Sequence, residues 1–172
     1  MKMLIVVDMQ NDFVTGSLGT PEARSIVPNV KALMEDSEFD RIFYTQDTHN
    51  SCYLDTFEGK KLPIVHCVKG TKGWEIIPEL CVNDWEVIEK PTFGSDELVS
   101  EILQIAHDNP IEKIELCGVC TDICVISNAL MIRAALPETN ITVRANCCAG
   151  VTPELHEAAL KVMESCQINV IR

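Results

Sequence analysis

Three segments, far apart in the chain, each end an apolar run on a side chain that could do chemistry. They are Leu4-Ile5-Val6-Val7-Asp8, Trp85-Glu86-Val87-Ile88-Glu89-Lys90, and Ile114-Glu115-Leu116-Cys117-Gly118-Val119, which leads through Thr121-Asp122-Ile123 to Cys124. If the runs are parallel strands, their carboxyl ends share one edge of a sheet, where α/β proteins build their sites. An acid, an ammonium and a thiol gathered there are the parts of an activated nucleophile. A helix start near Cys124 adds partial positive charge, which favours the thiolate and can receive an oxyanion. Taken singly, Asp8 reads as a turn or capping aspartate, Lys90 as a solvated strand end and Cys124 as a core thiol. Only the set reads as chemistry.

A second constellation is Asp47-Thr48-His49 with His66. Asp-x-His on an extended chain points two ligands to one side, because side chains alternate with period two. A distant histidine completes a facial set with positions left open. Two imidazole nitrogens and one carboxylate oxygen suit Zn²⁺, with Fe²⁺ or Mn²⁺ as alternatives. On spacing alone, two surface histidines and a turn aspartate fit as well.

The elements that must position these groups alternate along the chain. Strands are expected at residues 4–8, 41–45, 83–89, 113–117, 141–144 and 168–171. Helical spacing marks Ile26 to Met34 (with Pro28 near the helix start), Leu98 to Ala106 after Ser95-Asp96, Val125 to Ile132 with Thr121 or Asp122 as cap, and Pro153 to Met163. Residues 11–21 read as a loop, and 47–78 as a long irregular stretch, which in a compact domain is usually functional. This alternation implies parallel pairing with right-handed crossovers. The expected architecture is one domain, residues 1–172: a three-layer α/β/α sandwich around a mainly parallel six-stranded sheet of Rossmann-like type.

Composition narrows the function classes. A formal net charge of −12 argues against nucleic acid and against an anionic membrane surface. No apolar run reaches transmembrane length, and the first residues lack the pattern of a secretory signal, so a cytoplasmic protein is expected. Nine cysteines make an odd number, which speaks against a disulfide framework in a reducing compartment. Cys117 and Cys120 form a C-x-x-C, and Cys147-Cys148 a second pair, so structural zinc and thiol redox chemistry are alternatives. Cys117 inside a strand and Cys120 in a turn argue against both. Cys52, Cys67, Cys81 and Cys166 read as small apolar residues, and His107 and His156 as surface residues of helices.

Asp8-Met9-Gln10-Asn11-Asp12-Phe13 and Gly118-Val119-Cys120-Thr121-Asp122-Ile123-Cys124-Val125 resemble two signatures of the isochorismatase-like cysteine hydrolases, the family that includes the nicotinamidases. Glu89-Lys90-Pro91-Thr92-Phe93-Gly94-Ser95 is similar to its lysine loop. His66-Cys67-Val68-Lys69-Gly70-Thr71-Lys72-Gly73 resembles the metal-histidine run of the nicotinamidase branch. The motifs occur in the family's order and span nearly the whole chain. The resemblance implies that Cys124 attacks a carbonyl carbon, that Asp8 moves the proton, and that Lys90 keeps Asp8 ionised and favours thiolate. It implies a cis peptide before Cys120, with the amides of Cys120 and Cys124 as oxyanion hole, and a metal on Asp47, His49 and His66 that orients a pyridine ring. It also implies a small amide as substrate and a homo-oligomer as assembly, with loop 47–78 folding partly against a neighbour.

The reaction that follows is cleavage of a small amide C–N bond through a thioester, with nicotinamide leading. Alternatives are another small amide such as an N-carbamoyl compound, a non-catalytic metal- or ligand-binding protein on the same fold, and a thiol redox protein. The chain departs from the nicotinamidase pattern at Pro63, where an aromatic ring is usual. Phe13 is expected to supply one wall of the pocket, and Trp74 or Tyr53 could replace the missing ring.

Overall fold

The computed structural model describes residues 1–35, 38–80 and 87–172. Six strands, β1 (Lys2–Val7), β2 (Arg41–Asp47), β3 (Val87–Lys90), β4 (Lys113–Val119), β5 (Asn140–Ala149) and β6 (Asn169–Ile171), form one sheet in the order β3-β2-β1-β4-β5-β6. Every pairing is parallel. The central strand β1 is buried from Met3 to Val7, as a run without polar alternation requires when helices cover both faces.

Helix α1 covers Asn11–Val14 and α2 Pro21–Met34. The others are α3 (Phe57–Lys61), α4 (Asp96–Asp108), α5 (Ile126–Ala135) and α6 (Pro153–Ser165). Strand order reverses between β1 and β4. With right-handed crossovers, α2 then lies on one face of the sheet and α4, α5 and α6 on the other. α2 packs over β4 and β5, while α4 and α6 both pack against α5. The reversal leaves a crevice at the carboxyl ends of β1 and β4, the place where such sheets bind ligands.

Several boundaries differ from the sequence reading. Residues 83–86 of the third expected strand, and Cys81, lie outside the described residues. The loop expected at 11–21 contains α1, held by backbone bonds from Asn11 to Glu75 and from Asp12 to Gly73 that no local pattern encodes. α2 begins at Pro21, not near Pro28, because Thr20 caps the Ala23 amide and Pro21 needs no partner at that position; Pro28 sits inside the helix. The stretch 47–78 is less irregular than expected, with 3₁₀ turns at Tyr53–Asp55 and Pro78–Leu80 flanking α3.

Neither Thr121 nor Asp122 caps the helix after β4. Residues Thr121–Val125 form a π-helical turn preceding α5, and both polar side chains reach α6 or the loop before it. Thr121 Oγ1 lies 2.8 Å from His156 Nδ1, and Asp122 Oδ1 accepts from the Val151 amide at 2.9 Å. His156 is therefore half-buried, not a surface residue, whereas His107 is exposed as expected. Of the cysteines read as small apolar residues, Cys67 is buried, Cys166 partly so and Cys52 exposed.

Gly118 governs the close approach of β4 to β1. It stands at φ +114°, and a Cβ there would lie 2.1 Å from the Val7 carbonyl oxygen. Gly118→Ala is expected to cost about 3 kcal/mol or more of unfolding free energy, from a strained dihedral plus a backbone clash. Urea unfolding measures it, and a loss below about 1 kcal/mol would show that β4 can yield at this point.

Candidate active site

The register of the sheet brings the three chemistry-bearing segments together. Val7 pairs with both Thr45 and Gly118, and Asp47 pairs with Lys90. Asp8 follows β1 at φ +50°, a left-handed conformation that aspartate tolerates better than most residues. Its Oδ1 accepts from Thr45 Oγ1 at 2.6 Å, and its Oδ2 lies 2.7 Å from Lys90 Nζ. Lys90 closes β3 and has no solvent exposure, so the sequence option of a solvated strand end does not apply. Its ammonium also lies 3.4 Å from Asp47 Oδ1, donates to the Thr92 carbonyl at 3.1 Å and reaches Cys124 Sγ at 3.6 Å. Acid, cation and sulfur thus meet in one buried contact set.

Burial works against the thiolate that Lys90 was expected to favour. Burial, with Asp8 adding to it, pushes the Cys124 thiol well above its ordinary value, and Lys90 offsets only part of this. Burial also raises Asp8 above the ordinary carboxylate range, against the pull of Lys90. Lys90 itself is held charged: the two carboxylates outweigh its own desolvation and raise its pKa. Burial thus keeps the thiol protonated at neutral pH, beside a carboxyl of raised basicity.

The second cluster adjoins the first through Asp47. Asp47 Oδ2 faces His49 Nε2 at 3.0 Å and His66 Nε2 at 3.6 Å. Burial tends to raise Asp47, but the neighbouring His49 imidazole and the Lys90 ammonium outweigh it and hold the carboxyl low. Donor atoms of Asp47, His49 and His66 lie within 4.8 Å of one another, the one such group among the described residues. The Ile64 carbonyl, 2.8 Å from His66 Nδ1, fixes the proton on that nitrogen and leaves Nε2 for a ligand. His49 Nε2 is buried without a well-angled hydrogen bond. An orphaned imidazole nitrogen beside a second one and a carboxylate fits a divalent ion.

The Asp8–Phe13 segment holds this cluster down. Gln10, fully buried, donates to the carbonyls of Asp47 and Trp74 and accepts from the Asp47 amide at 2.7 Å. Asn11 donates to the Lys72 and Glu75 carbonyls, and Asp12 accepts from the Cys67 amide. The paired stretch His49↔Val68 then sets His66 beside His49.

A cavity of about 340 Å³ opens over Cys124, with Phe13, Leu18, Phe93, Ile123 and Val151 among its walls and His66 and Asp47 at one end. Phe13 takes the wall expected of it, its ring 5.5 Å from that of His66. Neither substitute for the aromatic absent at Pro63 lies there. Trp74 turns its indole to Thr48 Oγ1, and Tyr53 packs behind the rings of His49 and His66 with its hydroxyl on the Leu62 carbonyl. The second aromatic wall is Phe93. Sequence reasoning missed it, although it lies in the quoted lysine loop. It also missed Glu58, whose Oε1 stands 3.8 and 3.7 Å from the two Nε2 atoms; α3 carries it, and no spacing rule links that position to His49. The Val119–Cys120 peptide is cis, and Cys120 lines the cavity with its thiol pushed up to about 12 by burial.

A family model described as the Isochorismatase domain matches residues 2–172. A nicotinamidase of Schizosaccharomyces pombe is 31% identical, over 98% of this chain and 91% of that protein. An Arabidopsis thaliana protein described as a probable inactive nicotinamidase is 28% identical, over 94% and 87%. Among solved structures, a pyrazinamidase of Pyrococcus horikoshii in complex with zinc superposes with a TM-score of 0.82 at 29% identity, covering 99% of this chain and 98% of that one.

Lys90→Met keeps the apolar stem and removes the charge, leaving Asp8 and Asp47 buried without their shared cation. A loss of about 3–5 kcal/mol of unfolding free energy at neutral pH is expected from a broken buried pair. Urea titration reads it, and a loss near the few tenths seen for exposed pairs would contradict the burial argument.

Proposed function

Because the chain belongs to the isochorismatase family, we propose that it is a single-domain cysteine amidohydrolase, residues 1–172, converting nicotinamide and water to nicotinate and ammonia. The observation that carries the reading is the contact set at the cavity floor, with Lys90 Nζ 2.7 Å from Asp8 and 3.6 Å from Cys124 Sγ.

Asp8 takes the thiol proton as Cys124 Sγ bonds to the amide carbon, so the thiolate forms only when substrate is in place. The oxyanion that develops is received by the amides of Cys120 and Cys124. Asp8 returns the proton to nitrogen, the C–N bond breaks, and ammonia leaves. Water, deprotonated by Asp8, then cleaves the thioester, and the sulfur recovers a proton. Lys90 keeps Asp8 ionised between these transfers.

Asp47, His49 and His66 would hold a divalent ion, with Zn²⁺ leading and Fe²⁺ or Mn²⁺ as alternatives; when bound, it supplies a Lewis-acidic position for a ring nitrogen or water. Phe13 and Phe93 supply apolar walls for the ring. A second reading, hydrolysis of an N-carbamoyl compound, draws on Lys61, whose side chain reaches the cavity rim and could meet an anionic group. The cysteines among the described residues are all free, which supports a reducing, cytoplasmic setting. No helix among the described residues is long and apolar enough to cross a membrane.

Cys124→Ala should lower ammonia release from nicotinamide by about a thousandfold or more, with unchanged unfolding and ion content. Retained turnover would exclude the thioester route. A wild-type chain that releases ammonia from no small amide would leave the binding-protein reading in its place. Elemental analysis should find about one divalent ion per chain, and His49→Ala or His66→Ala should each remove most of it. Full ion content in both variants would overturn the ligand assignment.

A further inference from the structure

The segment after Lys90 does two things at the cavity. The Thr92 carbonyl accepts from the Lys90 ammonium, and the Phe93 ring forms a wall although it is 46% exposed. A half-exposed ring on a loop needs something to hold it. That anchor is Asn128, on α5 one turn beyond Cys124, with no solvent exposure of its own. Its Nδ2 donates to the Cys124 carbonyl at 2.8 Å and to the Phe93 carbonyl at 3.2 Å, and its Oδ1 accepts from the Ser95 amide at 3.0 Å. Both donor hydrogens and the acceptor of the carboxamide are in use. The loop lies so close to α5 that a Cβ on Gly94 would sit 2.2 Å from Met131 Sδ.

We propose that Asn128 is a positioning residue: its carboxamide locks residues 93–95 to the helix of the nucleophile, leaves Thr92 on the Lys90 ammonium, and so sets the distance of the Phe93 wall from Cys124. The proposal rests on the reading of the cavity as the binding place of an aromatic amide. A hydroxyl at this position could satisfy the Cys124 carbonyl alone, as Ser127 already does for the Ile123 carbonyl at 2.6 Å, but it is too short to reach the loop. Asn128→Thr therefore cuts the link to the loop and spares the bond within the helix. The buried Ser95 N–H and the part-buried Phe93 C=O then turn toward water and carry Phe93 with them.

The test uses iodoacetamide labelling of Cys124, read by peptide mass spectrometry, with nicotinate as the protecting ring compound. In Asn128→Thr the unprotected labelling rate should stay within about twofold of wild type, while half-protection should need about tenfold more nicotinate, as expected for losing buried hydrogen bonds. The KM for nicotinamide should rise by a similar factor, with kcat within about threefold. Phe93→Ala should weaken protection by itself. Adding Asn128→Thr to it should change protection by less than about twofold, because the two act through one wall. Asn128→Ser makes the same bond within the helix and replaces the threonine variant if that does not fold. Unchanged protection, additive effects in the double variant, or a changed unprotected rate would each overturn the proposal, the last by placing the effect on the nucleophile. Wild-type protection without ammonia release would sink the reaction but leave the proposal standing; wild-type labelling insensitive to nicotinate would overturn it.

Discussion

A single ammonium, with no access to water, holds the centre of this molecule together. Lys90 meets two carboxylates, one carbonyl and one sulfur within 3.6 Å. Two anions at this depth would be intolerable without a cation between them, and a lone cation would be equally so. The requirement runs outward. β3 must end at residue 90, β1 must turn sharply at Asp8, and β4 must approach β1 closely enough to need glycine at 118. Stability and chemistry therefore draw on the same contacts.

Much of this was legible in the sequence because strand ends are a physical address. The run Leu4–Val7 is too uniform for a sheet with one wet face, which marks a buried parallel strand, and the strand–helix alternation puts the ends of the other two runs on the same edge. The pairing of Asp47 with Lys90 and of Val7 with Gly118 is that address written in register. The pair Asp47 and His49 was legible for a related reason, since an extended chain keeps the two on one side.

What escaped the sequence reading depends on contacts between segments that no short pattern relates. Glu58 reaches the histidines because α3 folds back over them, and α3 was hidden in a stretch read as irregular. Trp74 and Tyr53 were offered as ring-stacking walls because they are aromatic and nearby in sequence, yet each has a polar atom needing a partner, Thr48 Oγ1 for one and the Leu62 carbonyl for the other, and neither ring lines the cavity. Thr121 and Asp122 have the right type for helix caps, but α6 and the loop before it offered their side chains other partners. Lys90 was expected to favour the thiolate; depth opposes it, because desolvation grows with burial and the adjacent carboxylate opposes a second negative charge.

Asp47 gives one oxygen to the ammonium and the other to the imidazoles. Damage at this residue cannot be confined to one cluster, whereas damage at either histidine can. In a survey of random variants, position 47 would group by phenotype with the nucleophile and its base, despite lying in the run that ends in a histidine. The wall between two kinds of loss-of-function allele passes through one side chain, between its two oxygens.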